Sequence, residues 1–355
     1  MEITFEYLLE ASRECVKNVS WKSSTQMFQI NRLMWLSNLK NQIDKETYKP
    51  KKGTHFRIHE RGKLREIHSV HISDRVVQKA FNQKVLKPKT YPHLIYNNCA
   101  SQKGKGTDKQ LERLKVDLYR HFGRHGRKGY ILLIDFSNYF GNIDKEILIS
   151  KLKLEPDEER LLRLFIEDDE GLGLGSEVNQ TGAIFYASGP DHFVKERLHI
   201  KGYGRYMDDS YLIHEDRSYL EYCRNEILKE CEKLKIKVNP KKVKIIPLTD
   251  QFVFLKKRIT VTEKGSVTAR PVKENFKRRR RNLRAQRRLL DEGRMTIGEI
   301  EQSYRSWRGY AVKNNSPIET IENMDRLYND LFGKEEEDEQ QRFTEGAHTD
   351  ERATE

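Results

Sequence analysis

The sequence predicts an α+β protein in which a short antiparallel sheet is surrounded by helices. Three observations support this class. A continuous apolar run at 129–136 has the length of one buried strand and ends next to an aspartate. Two shorter apolar runs within 203–214 flank a pair of aspartates, as expected for a hairpin. Much of the remaining chain, including 3–48 and 144–169, repeats apolar residues at helical spacing.

The elements before the central strand begin with the helical region 3–48, which Pro50 and Gly53 end. Apolar and polar residues then alternate over 55–70, with Arg61-Gly62 as the turn, which predicts a basic hairpin. Ser73 and Asp74 are the expected cap of a following helix.

The elements around and after the central strand follow the same reasoning. A basic glycine loop at 101–107 precedes a predicted helix at 108–122. After the hairpin at 203–214 we expect a helix, a strand, a second hairpin and two final helices, at 218–234, 235–238, 252–270, 296–311 and 317–331.

The charge distribution indicates an anionic partner. The 355 residues suit one large domain or two to three lobes. They carry 67 Lys and Arg against 54 Asp and Glu, a net charge of +13. The segment 333–355 has nine acids and three bases, a net of −6, so 1–332 carries about +19, and nine of these bases lie within 273–288. Nucleic acid is the expected partner, with a merely soluble, highly charged protein as the alternative.

Several classes are excluded. The sequence contains no run of ~18 apolar residues, which is the length needed to span a membrane. The first ten residues include three acids and no basic n-region, so they do not form a secretory signal. No phosphate-binding GxxxxGK[ST] loop is present. The cysteines form no CxxC pair, so we expect reduced thiols and a cytoplasmic protein; they are Cys15, Cys99, Cys223 and Cys231.

Three carboxylates are the candidate catalytic group: Asp135 at the end of the apolar run, and Asp208 with Asp209 between the paired runs. Carboxylates in apolar surroundings are costly without a compensating cation, and adjacent ones repel. Two Mg²⁺ ions would answer both needs and form the clamp used in phosphoryl displacement. A bare Asp-Asp pair is more often an ordinary turn, so the flanking residues decide.

The paired aspartates follow Arg205, Tyr206 and Met207. The resulting sequence YMDD (206–209) closely resembles the catalytic hairpin of reverse transcriptases. Further motifs follow in that family's order over about residues 55–330. They are GKLREIHSVHISDRVVQKAF (62–81), SQKGKGT (101–107), IDFSNYFGNID (134–144), GSEVNQTGAIFY (175–186), LKIKVNPKKVKI (234–245), FVFLKKR (252–258) and RSWRGYAVKNNS (305–316).

The resemblance implies a right-hand polymerase with fingers, palm and thumb, which adds dNTPs to a primer on an RNA template. The implied divisions are 1–54 helical extension, 55–128 fingers, 129–250 palm, 251–332 primer grip and basic thumb, and 333–355 disordered acidic tail. The implied cofactor is two Mg²⁺ ions, with Mn²⁺ as a substitute. The implied partners are template RNA, a DNA or RNA primer, dNTPs and an accessory RNA-binding protein, without a membrane.

The resemblance also assigns roles to single residues. Asp135, Asp208 and Asp209 would hold the metals, and Lys242 would protonate pyrophosphate. Substrate or template contacts would come from Lys63, Arg65, Lys103, Phe140, Gln180 and Tyr206, with Phe140 as the gate against a ribose 2′-OH and Gln180 positioning nucleotide or template.

The segment around Gly175 is most similar to bacterial or phage diversity-generating retroelement enzymes. Leu174 stands where retroviral-type enzymes carry Gln, and Asn179-Gln180 resembles the Ser-Gln of that branch. A retron-type or phage-defence reverse transcriptase is the alternative, and an inactive RNA-binding scaffold is a further one.

Overall fold

The computed structural model describes residues 3–60, 62–167 and 170–333. They form two compact units, divided between Leu248 and Thr249. The helices of the first unit are α1 (Phe5–Cys15), α2 (Ser23–Ile30), α3 (Arg32–Asp44), α4 (Ile72–Phe81), α5 (Lys87–Thr90), α6 (Thr107–His125), α7 (Lys145–Leu152), α8 (Pro156–Ile166), α9 (Glu177–Tyr186), α10 (Ser188–His192) and α11 (Arg217–Lys233). Its strands are β1 (Thr54–Glu60), β2 (Lys63–Ser69), β3 (Tyr130–Asp135), β4 (Gly202–Tyr206), β5 (Asp209–His214) and β6 (Lys244–Pro247).

The central sheet of the first unit is antiparallel, with strand order β4-β5-β3-β6. Helix α6 packs on β4 and β5, and α11 packs on β3, β5 and β6. Ile131, Leu132 and Ile134 of β3 are consequently buried on both faces of the strand. This double burial explains why the sequence of β3 is a continuous apolar run rather than an alternating one. Strand β3 therefore lies inside the sheet, between β5 and β6, with Asp135 at its end.

Helices and a separate hairpin complete the first unit. Strands β1 and β2 form a two-stranded antiparallel hairpin, as predicted for 55–70. The region 3–48 consists of three helices, of which α1 and α3 pack on each other and on α4. Their buried residues, such as Leu8 and Leu36, belong to the same hydrophobic core as β3.

Two predicted helix boundaries were wrong. Helix α4 is capped by His71, whose Nδ1 accepts the Ser73 N–H at 3.2 Å, so Ser73 and Asp74 lie inside the first turn. The region 144–169 is two helices, because Lys153 adopts a left-handed conformation (φ 49°) after α7. Helix α8 then starts with a Glu155 capping box and Pro156 at its first position, a typical helix start.

Two predicted strand assignments were also wrong. Residues 235–238 contain only one bridge, between Val238 and Phe136, instead of a strand. Residues 240–242 form a 3₁₀ turn that begins with Pro240, which has no N–H to donate, so the edge strand β6 starts at Lys244. The predicted hairpin at 252–270 has three strands, because a second tight turn occurs at Leu255 and Lys256, both with positive φ.

The second unit combines that small sheet with helices. Its elements are β7 (Phe252–Phe254), β8 (Lys257–Val261), β9 (Val267–Pro271), α12 (Lys273–Asp291), α13 (Ile297–Lys313) and α14 (318–333). Leu283, Ile300 and Met324, one from each helix, are fully buried in a core of their own. Within the described residues, no helix is long and apolar enough to cross a membrane.

Candidate active site

The sheet register brings the candidate aspartates together. Asp135, the last residue of β3, pairs directly with Asp209, the first residue of β5. The Phe136 N–H donates to the Asp208 carbonyl at 3.0 Å and extends this pairing by one residue. Facing residues of an antiparallel pair lie roughly 5 Å apart. Carboxylates 74 positions apart in the chain therefore share one end of the sheet.

A two-residue turn sets the position of Asp208. Tyr206 pairs with Asp209 across the β4–β5 hairpin, which leaves Met207 and Asp208 as the turn. Met207 adopts a left-handed conformation (φ 54°), which is uncommon for a side chain of this size. Strained backbone that the surrounding structure maintains is often found at functional sites.

Burial and mutual repulsion change the acidity of this pair. The pKa of the Asp209 carboxyl is raised to about 7, first because the group is buried and then because Asp208 and Asp135 lie close by. Burial also raises the pKa of Asp208, and Asp135 adds to the increase, while Lys242 and Arg65 oppose it. Burial and the neighbouring carboxylates thus both disfavour the charged forms of Asp208 and Asp209.

Lys242 is the cation in direct contact with the cluster. Its Nζ donates to Asp135 Oδ2 at 2.6 Å, although the two residues are 107 positions apart. Burial lowers the pKa of the ammonium, but the hydrogen bond to Asp135 and the nearby aspartates outweigh this, so the pKa is raised. A protonated amine next to the metal-binding candidates is suited to donate a proton to a phosphate oxygen.

The donor set fits Mg²⁺ chemically. Mg²⁺ prefers carboxylate oxygens, and this site presents three carboxylates, two of them with raised pKa. Among the described residues, no group of three His, Cys, Asp or Glu side chains is already arranged to coordinate an ion.

A glycine loop, residues 171–175, connects the parts around the aspartates. The Leu172 N–H donates to the Phe140 carbonyl at 2.9 Å, and the Leu174 carbonyl accepts from the His68 N–H at 3.1 Å. A Cβ on Gly175 would lie 2.5 Å from the His68 oxygen, and φ there is +126°, so a side chain does not fit. The loop therefore ties the β1–β2 hairpin to the turn that carries Phe140.

The same loop depends on Asn179. The Asn179 Nδ2 donates to the Gly173 carbonyl at 2.9 Å. Asn179, which stands where the resemblance leads us to expect Ser, thus holds the loop against α9. Asn179 had no predicted role of its own. Its position, four residues after the loop and in the first turn of α9, was the available signal.

The other predicted substrate-binding residues occupy four places in the first unit. Gln180 lies on α9, where its Oε1 accepts from Ser101 Oγ at 3.0 Å, and Lys103 is exposed in the same 101–107 loop. Arg65 lies on β2, close enough to lower the pKa of Asp208. Tyr206 is half-buried at the end of β4.

Phe140 and Lys63 complete the predicted set. Phe140 begins the 3₁₀ turn that follows β3, and its ring meets that of Tyr139 edge-on at 6.1 Å. The Lys63 side chain lies outside the described part of the structure. The predicted acidic tail, 333–355, falls outside it as well, apart from Gly333.

In the second unit, α12 presents a basic stripe. It consists of exposed cations spaced three or four residues apart, and so on one side of the helix: Lys273, Lys277, Arg280, Arg281, Arg284 and Arg288. Arg279 does not belong to it. That side chain is 7% exposed, lies over the rings of Tyr304 and Trp307, and donates to Ser303 Oγ at 3.1 Å. The basic segment 273–288 thus includes one arginine that faces the core.

A family model described as "Reverse transcriptase (RNA-dependent DNA polymerase)" matches residues 49–259, more than half of the chain. The chain belongs to the reverse transcriptase family. The matched range includes the β1–β2 hairpin, the central sheet and Lys242, so the family prediction is confirmed. The role of each side chain remains a prediction. None of the curated proteins matches the chain.

Solved telomerases are similar to this reverse transcriptase family member. The telomerase of Candida albicans, in complex with a fragment of telomeric RNA, matches with 11% identity and a TM-score of 0.50, over 82% of this chain and 58% of that one. The apo telomerase of Candida tropicalis truncated from its C-terminal domain matches with 14% identity and a TM-score of 0.48, over 67% and 60%. The chain thus spans about three fifths of either telomerase chain. With the family match, the Candida albicans likeness confirms the α+β right-hand polymerase fold.

Proposed function

We propose that this protein is an RNA-directed DNA polymerase whose active centre is formed by Asp135, Asp208 and Asp209. The observation that carries the proposal is the β3–β5 register, which places the three carboxylates at one end of the sheet in a chain of the reverse transcriptase family. These carboxylates would hold Mg²⁺, which when bound would neutralise phosphate charge and activate the primer 3′-OH.

The surrounding side chains have distinct roles in this proposal. Lys242 delivers a proton to the leaving pyrophosphate, since its ammonium already contacts Asp135. Arg65 contributes positive charge toward the triphosphate from β2, together with Lys63 and Lys103. Gln180 and Tyr206 contact the nucleotide or the template, and Phe140 excludes a 2′-OH.

Primer extension on poly(rA)/oligo(dT) tests the proposal. Asp208→Asn keeps the size of the side chain and removes its charge, so extension should be abolished while template–primer affinity stays within about twofold. Asp250→Asn, a change at an exposed aspartate outside the site, is the matched control and should retain activity. Equal extension rates for Asp208→Asn and the wild type would show that the active centre lies elsewhere. A wild-type protein that binds template–primer but never extends it would favour the inactive scaffold.

We further propose that the enzyme serves a bacterial or phage diversity-generating retroelement. Leu174 supports this, because an apolar residue cannot hydrogen-bond template and nucleotide in register, and misincorporation should rise. The Leu174 carbonyl is already used by His68, so Leu174→Gln changes the side chain without breaking that contact. Sequencing of cDNA made from a defined RNA should show many errors in the wild type and fewer in Leu174→Gln. Low error rates unchanged by the substitution would favour the retron or phage-defence alternative.

A further inference from the structure

Behind the catalytic hairpin lies an ion pair that no predicted role uses. Arg205, on β4, is 1% exposed, and Asp191, on α10, is 0% exposed. The guanidinium contacts the carboxylate in a bidentate manner, with Nε donating to Oδ1 at 2.8 Å and Nη2 to Oδ2 at 2.7 Å. The Tyr203 hydroxyl donates to the same Oδ1 at 2.6 Å. Both charges are therefore balanced and anchored inside the core.

The rest of the guanidinium reaches two backbone carbonyls. Nη2 also donates to the Ile184 carbonyl at 2.8 Å, and Nη1 donates to the Met207 carbonyl at 2.9 Å. Ile184 lies in the last turn of α9, where carbonyls have no partner within the helix. One side chain thus connects the helix that carries Gln180 with the turn that carries Asp208.

The contact with Met207 bears on the catalytic turn. Met207 is the left-handed residue directly before Asp208, so rotation of its peptide group would redirect that carboxylate. A charge-assisted hydrogen bond from a buried, fixed donor resists this rotation. Buried ion pairs contribute little to stability compared with apolar residues of similar size, so stability alone does not explain this pair.

We propose that Arg205 and Asp191 are positioning residues for the metal-binding turn. Asp191 fixes the guanidinium, and Arg205 holds the Met207 carbonyl so that Asp208 and Asp209 meet Asp135 in a geometry suited to Mg²⁺. The inference rests on the proposed function for its catalytic consequence, but its structural content concerns Mg²⁺ binding alone. Mg²⁺ demands near-ideal octahedral geometry, so a small displacement of one ligand weakens its binding.

The test is Arg205→Lys, which keeps the positive charge but removes the planar fork, so one ammonium cannot serve Asp191 and both carbonyls. Mg²⁺ is titrated into the metal-free full-length protein by calorimetry, and kcat and template–primer affinity are measured separately. Loss of an outer-sphere residue typically costs about 10- to 100-fold in metal affinity or activity. We expect losses of that order for Mg²⁺ affinity and kcat, with template–primer affinity within about twofold and an unchanged circular dichroism spectrum.

The matched control is Arg163→Lys, which alters an exposed bidentate pair with Glu146 and should change none of these measurements. Unchanged Mg²⁺ affinity and kcat in a folded Arg205→Lys protein would overturn the inference. If Arg205→Lys does not fold, Tyr203→Phe, which removes only the hydroxyl donor to Asp191, should weaken Mg²⁺ binding in the same direction, and no change would overturn it. A wild type that binds Mg²⁺ without extending a primer would overturn the proposed function alone, because the titration still decides the role of Arg205.

Discussion

Replacing Asp209 by Asn should stabilise the metal-free protein at neutral and alkaline pH. The pKa of Asp209 is about 7 in the folded protein against 3.8 for an ordinary aspartate. The folded state therefore binds this proton more tightly than the unfolded state. Stability contributed by the protonated group is present below pH 4, is lost progressively as the pH rises to about 7, and changes little above that.

The magnitude follows from the two pKa values. Each pH unit between them costs about 1.4 kcal/mol, so between pH 5 and pH 8 the wild type should lose roughly 2–3 kcal/mol relative to Asp209→Asn. For a unit of about 250 residues this corresponds to a difference of roughly 4–12 °C in Tm. The amide cannot ionise, and its replacement of a charge also reduces the repulsion felt by Asp208.

The assay is thermal unfolding in EDTA at pH 5, 6, 7 and 8, with Asp250→Asn as the control at an exposed aspartate. The Tm advantage of Asp209→Asn over the wild type should grow with pH, whereas that of Asp250→Asn should stay constant. Saturating Mg²⁺ should reverse the order at pH 8, because the ion stabilises only the folded protein that keeps its carboxylates. A Tm difference independent of pH would refute the reasoning that burial and neighbouring carboxylates disfavour the charge on Asp209.

Three further outcomes are expected. Phe140→Val should raise incorporation of rNTPs relative to dNTPs in a primer-extension assay, because a smaller side chain no longer rejects the 2′-OH; an unchanged ratio would remove Phe140 from the sugar gate. Replacing Arg280, Arg281 and Arg284 together by Gln should weaken template–primer binding, measured by fluorescence anisotropy. It should also reduce the slope of log binding constant against log salt concentration by up to about one unit per lost phosphate contact. An unchanged slope would mean that the basic stripe faces solvent in the complex. Lys242→Gln should lower the single-turnover rate without changing nucleotide affinity, because a protonated amine is lost from the site; equal rates would exclude it as the proton donor.

The hydrophobic pattern was sufficient to predict three of the four central strands, β3, β4 and β5, but not β6. Strand β3 is apolar up to Asp135 because helices cover the sheet. The two runs around Asp208 and Asp209 are close in sequence, so their hairpin is a local structure. Predictions failed where local geometry opposed the pattern. The segment 235–238 directly after α11 forms a single bridge to Phe136 instead of a strand, and Lys153 ended a helix that the apolar spacing would have continued.

Long-range contacts of the site were not predictable in the same way. The identity of Lys242 suggested a role, but its 2.6 Å contact with Asp135 depends on how the segment after α11 returns to β3. Arg279 lies within a run of five basic residues and yet packs over Tyr304, because the helical repeat turns that position toward the core. Composition gives no information about such a rotation without the helix boundaries.

The sequence by itself determined the carboxylates, the hairpin that carries two of them, the family and the strand-forming runs, since each depends on residues that are neighbours in the chain. The tertiary structure alone decided the register that places Asp135 opposite Asp209, the raised pKa of Asp209 and the partners of Arg205. These properties depend on distance and on exclusion of water between segments far apart in the chain. Both arise only when the sheet has formed and the helices have covered it.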